Sequence, residues 1–203
     1  MKTVKLFRVD GGEPMPHQHF GLFCVKNAME DSRNATLELL GNSESEMQRR
    51  LADFAGPIQL HLLALKTAVL YTCGRQVCAD GDQALDEMTV GILDGFVAIL
   101  GGKESKLANE NNVRSLYGLF SDYAASLAQE LNDIGWDSLK STNRFDKGAT
   151  SAFVVRNIAG QCGVTALLDN QPSERLRLET IVARIGMGLL LVLTLRKVVS
   201  YTS

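Results

Sequence analysis

Three histidines stand in this 203-residue chain, and two of them, His17 and His19, are separated by a single residue. In an extended segment both imidazoles fall on one side, as a metal site would use, with Cys24 or a distant acid completing the set. Two ligands alone do not close a coordination sphere, so the preferred reading is a solvated, proline-rich loop. His61 lies in an apolar stretch where a satisfied core histidine is commoner than a base or a ligand.

Asp94 is the acid to watch, because it sits inside Val90-Gly91-Ile92-Leu93-Asp94-Gly95-Phe96, where a core-facing charge costs several kcal/mol unless paired. Glu87 is two turns earlier on roughly the same side, so the two carboxylates would face one cleft or metal. The competing reading is a solvent-facing side made of Glu87, Gly91, Asp94 and Ala98, and it is preferred because amphipathic helices expose their small and charged residues.

Four cysteines, Cys24, Cys73, Cys78 and Cys162, follow neither zinc nor disulfide spacing, so buried reduced thiols are expected. Gly102-Lys103-Glu104-Ser105 lacks the first glycine of a phosphate loop, since Val97 stands five residues earlier. Gly186-Met187-Gly188 lacks the third glycine of a dinucleotide fingerprint. No cofactor is therefore expected.

Residues 1 to 137 hold 12 Lys+Arg against 19 Asp+Glu, a net of −7, whereas residues 138 to 203 hold 9 against 4, a net of +5. Opposite halves of one domain attract each other, and an acidic first half reads phosphate poorly, so nucleic acid is not the expected partner. Residues 1 to 12 show no apolar signal segment, so a cytoplasmic protein is expected.

The elements that must hold these residues are mostly helical. The run Ser173 to Val199 opens with Pro172, Ser173 and Glu174, a helix-start pattern. It is apolar on every side from Ile185 to Leu195, eleven residues. That is short of the roughly 20 needed to cross a bilayer, so a core helix is favoured over a C-terminal membrane anchor at 185–195. In it Leu189 and Val192 are expected to be buried, and Gly186 and Gly188 to admit a close neighbour. Ile58 to Tyr71 reads as a second central helix, ended by Cys73-Gly74. The next packs through Met88, Ile92, Phe96, Ile99 and Leu100, with a slim side at Gly91, Gly95 and Ala98 for another helix to approach. Val113, Leu116, Phe120, Tyr123, Leu127, Leu131 and Ile134 form the clearest amphipathic stripe.

Asn34 to Leu40 ends at Gly41-Asn42, and Ser43 with Glu46 resembles a capping box before a helix that runs through Phe54. Residues 138–148 read as a flexible loop, and Thr150 to Val164, which suits helix or strand, is taken as helix. At the start, Val4, Leu6, Val9 and then Phe20, Leu22, Cys24 read as two short strands about a Gly/Pro loop. The expected architecture is mainly α: a helical bundle of six to eight helices, residues 26–203, preceded by an N-terminal extended arm or β-hairpin over 1–25.

Function is expected to be non-enzymatic: a cytosolic adaptor, regulator or inhibitor that meets another protein, or a second copy of itself, through a helical surface. The rival is a small-molecule or metal site within the bundle, with Asp94, Glu87 and His61 at its centre and hydrolysis as its chemistry.

Overall fold

The computed structural model describes residues 5–9, 15–41, 46–77, 82–101, 106–134, 149–183 and 198–202. Eight helices occur among them: α1 (His17–Leu40), α2 (Glu46–Ala52), α3 (Ala55–Val77), α4 (Asp82–Leu100), α5 (Lys106–Ile134), α6 (Ala149–Gln161), α7 (Thr165–Asp169) and α8 (Pro172–Val182). Strand β1 (Lys5–Val9) pairs antiparallel with β2 (Val198–Thr202), with Phe7 opposite Ser200. The protein is thus a mainly α bundle with a short extended arm.

Helix α3 is the axis of the bundle. Residues 61 to 70 are all buried, so every side of it meets a neighbour, the condition for a helix apolar all round. Helices α1 and α5 lie against it, α4 packs on α1 and α5, and α6 to α8 close the remaining side. Helix α5 buries Leu116, Phe120, Tyr123, Leu127 and Leu131, the stripe its spacing predicts. Phe120 meets Phe96 of α4 edge to face, with ring centroids 6.1 Å apart.

The first helix corrects the reading of the N-terminus. Phe20, Leu22 and Cys24 are helical, not a strand, because α1 begins at His17 with Pro16 as its cap residue and the Phe20 N–H bonded to the Pro16 carbonyl at 3.0 Å. A proline just before a helix sacrifices no donor the helix needs. The buried set includes Phe20, Cys24, Ala28, Ser32, Ala35 and Leu39, a helical period that the Phe-Leu-Cys alternation conceals. The arm is accordingly shorter than residues 1–25, and its strand pairs with the other end of the described chain instead of with a hairpin mate.

Glycine decides how α1 meets α4. A Cβ on Gly91 would fall on the Gln18 carbonyl oxygen, one on Gly21 would fall on the Met88 carbonyl, and one on Gly95 would lie 2.7 Å from the Val25 Cβ. The two backbones touch, as the slim side at Gly91 and Gly95 foretold, although Ala98 is exposed. Gly74 does not end α3, which continues to Val77; it lies under the Phe20 ring, where a side chain would collide. Gly41 ends α1 with φ of 59°, its N–H returning to the Leu37 carbonyl at 3.0 Å.

Helix α6 resolves the ambiguous Thr150 to Val164 stretch as helix, closed at Gly163 (φ 65°) with the Val164 N–H on the Ala159 carbonyl at 2.9 Å. Helix α8 opens with Pro172 in its first turn and no side-chain cap bond from its cap residue, Gln171. Glu174 there pairs with Arg177 at 2.6 Å. The apolar run 185–195 with Leu189 and Val192, the glycines at 186 and 188, the Ser43 cap and the 138–148 loop lie outside the described residues. Among the described residues no helix is long and apolar enough to cross a membrane.

Candidate functional site

Because residues 17 to 40 are helical, His17 and His19 project about 200° apart around the axis and do not share a side. His17 is buried and turns to α4, where its Nδ1 lies 3.4 Å from a Glu87 carboxylate oxygen, while His19 is exposed. Glu87 also accepts from Gln83 Nε2 at 3.2 Å. The pairing that forms is one candidate metal ligand with one candidate acid, across the α1–α4 contact.

Asp94 is exposed and accepts a hydrogen bond from Gln18 Nε2 at 2.9 Å. It is a surface residue of the α1–α4 seam. Asp94→Asn should therefore shift stability by no more than ~0.5 kcal/mol, as surface substitutions do. Urea melts with and without divalent metals check this. A loss above ~2 kcal/mol, or a metal-dependent rise in Tm confined to the wild type, would mean that Asp94 holds a buried cation or a metal. Among the described residues no three His, Cys, Asp or Glu side chains converge as metal ligands.

His61 is separate from these acids and has a denser environment. It is 3% exposed. Its Nε2 faces the Gln161 Oε1 of α6 at 2.5 Å and its Nδ1 faces the Tyr123 hydroxyl of α5 at 2.5 Å. An amide oxygen can only accept, so Nε2 carries the proton and Nδ1 accepts from the Tyr123 O–H. Asn157, one turn before Gln161 on α6, donates to the same phenol oxygen. Burial lowers the His61 pKa, opposed in part by the Gln161 bond. Burial raises that of Tyr123, so the phenol stays protonated and continues to donate.

A general base needs a lone pair aimed at its substrate. Here the available lone pair is taken by tyrosine inside the core. The arrangement is a polar latch across α3, α5 and α6 in which both buried ring nitrogens of His61 and the buried Tyr123 hydroxyl have partners, the condition under which buried polar groups specify one packing.

Three further buried groups carry charge or reactivity. Lys66 on α3 reaches Asp31 of α1 at 3.3 Å, with burial lowering its pKa against the pull of that carboxylate. Glu130 of α5 accepts the Thr150 backbone N–H at 3.0 Å, placing a carboxylate at the positive end of α6. The thiols of Cys24, Cys73 and Cys162 are free and buried. Burial pushes all three up, Cys162 to about 11, so they are unreactive thiols of the core; Cys78 lies outside the described residues.

The sequence hides the polar partners of His61 because Tyr123 falls in step with the apolar stripe of α5. The available signal was Asn157 and Gln161, four apart and so on one side of α6.

On the outer surface, α4 and α5 enclose an open groove of about 670 Å³, lined by Leu93, Val97, Val113 and Tyr117 with Glu110 and Arg114 at its edge. Val97 is 54% exposed, and Val90, two turns before it, is 46% exposed. By contrast, a cavity between Leu39, Leu51, Val155 and Leu178 measures about 10 Å³ and is wholly apolar, large enough for no more than about one water. No family model, curated protein or solved structure matches the chain.

Proposed function

We propose that this chain is a helical interaction protein of the cytosol, an adaptor, regulator or inhibitor, that seats an apolar helical segment of a protein partner between α4 and α5. The observation that carries the reading is Val97, more than half exposed on a groove that Leu93, Val113 and Tyr117 also line. Val90, Leu93 and Val97 step by three and four residues along about 10 Å of α4. That is the spacing with which one helix receives another in a groove. Single exposed apolar residues are ordinary, but a continuous strip beside a cleft marks an interaction surface. The interior offers less to a small ligand, since His61 is closed in by Tyr123 and Gln161.

A fluorescent, uncharged 18-residue peptide with Leu at helical spacing and Gln elsewhere tests the reading by anisotropy. Binding to the wild type, weakened at least tenfold by Val97→Asp with Tm unchanged, is the expected result. Equal binding to both proteins, or to neither, would overturn it.

A further inference from the structure

We infer that the segment received by this groove is a basic amphipathic helix with Lys or Arg on the flank that faces α4, an inference that rests on the docking reading above. Helix α4 carries Asp82, Asp86, Glu87 and Asp94 and no Lys or Arg at all. Asp86 stands one turn before Val90 and Asp94 one turn after it, so a carboxylate borders the apolar strip on either side of Val90. Asp86 and Asp94 are exposed and the Glu87 side chain is 44% exposed. Gln18 and Gln83 hold Asp94 and Glu87 in place through neutral amides, which orient the carboxylates without cancelling their charge. His17 beside Glu87 cancels it only when protonated.

The same charges argue against a second copy as the occupant. Laying α4 on α4 would bring carboxylates against carboxylates with no base on either helix, and juxtaposed like charges exclude a partner. A basic helix gains charge pairing along that edge and is steered to it from a distance. Arg114 and Glu110 on the α5 wall set no net sign there.

The test sets the Leu/Gln peptide beside two analogues in which Lys or Glu replaces Gln, measured by anisotropy on the intact protein at 50 mM and 500 mM salt. The Leu/Lys peptide should bind about 20-fold tighter than the Leu/Glu peptide at low salt, the product of a few exposed ion pairs. High salt should shrink that preference. Asp86→Asn with Asp94→Asn should remove most of it. Val97→Asp adds a negative charge, so it would strengthen loose attraction of a cation but should abolish docking of the Leu/Lys peptide. Equal affinity for the two charged peptides, each lost in Val97→Asp, would keep the groove and overturn the basic partner. Binding indifferent to Val97→Asp would overturn both. A dimer in sedimentation that Val97→Asp dissociates would make the second copy the occupant and overturn the inference.

Discussion

Gly91→Ala should cost about 3 kcal/mol or more of stability, at the upper end of what overpacking a core costs. The added methyl would land on the Gln18 carbonyl oxygen, which is backbone, so no rotamer change relieves the collision and α1 must leave α4. The opposing gain is the higher helix propensity of alanine, about 1 kcal/mol. Gly118→Ala on α5 isolates that gain, because a Cβ there meets nothing within 4 Å. Denaturant melts should therefore show the same substitution with opposite signs at the two positions: a large loss at Gly91 and a gain of about 0.5 to 1 kcal/mol at Gly118. A Gly91→Ala protein as stable as the wild type would mean that the α1–α4 backbones are not in contact.

His61→Leu should cost roughly 1 to 3 kcal/mol at pH 7.5, because it leaves the buried Tyr123 hydroxyl without its acceptor, while the exposed Gln161 amide turns to water. The loss should shrink in acid, and the sign follows from the direction of the shift. Burial lowers the folded pKa of His61 below its ordinary 6.5. The unfolded chain therefore takes up the proton first, and the wild type holds the full contribution above about pH 6.5. It then loses that contribution as pH falls from there towards the lower folded value, by up to about 1.4 kcal/mol per pH unit. His17 and His19 are present in both proteins, so the wild-type minus His61→Leu difference isolates His61. Urea melts from pH 7.5 to 5 measure it, and a difference that stays constant or grows in acid would mean that His61 is not held neutral in the core.

These two results concern features of opposite legibility. The slim side of α4 could be read from Gly91 and Gly95 because a missing side chain is a local property, and period alone places both on one face. In the same way the stripe from Leu116 to Leu131 named α5, and the apolar surplus from Leu60 to Leu70 named α3 as a helix buried on all sides. Gly41 could end α1 because positive φ is a property of one residue.

The N-terminus reads as strand because Phe20, Leu22 and Cys24 alternate, while Phe20 and Cys24 alone also stand one helical turn apart. Only the longer run Phe20, Cys24, Ala28, Ser32 separates them. Burial on α1 is set by which side α4 and α3 cover, and that side was not marked by a strong polar contrast.

The polar chemistry depended still more on tertiary structure. His61 finds Tyr123 and Gln161 at sequence separations of 62 and 100 residues, and no spacing rule reaches that far. His17 was set beside His19 by an extended reading and beside Glu87 by the fold, since a helix turns neighbouring side chains apart while packing brings distant ones together. The groove is of the same kind. Val97 and Tyr117 each lie on the edge of an ordinary amphipathic stripe, and it takes the angle between α4 and α5 to leave a cleft between them. The sequence determined which segments are helices and which of their sides are apolar or slim. Which apolar side stayed uncovered, and which buried polar groups met, was decided by packing, because those contacts are made between helices and periodicity is a property within one.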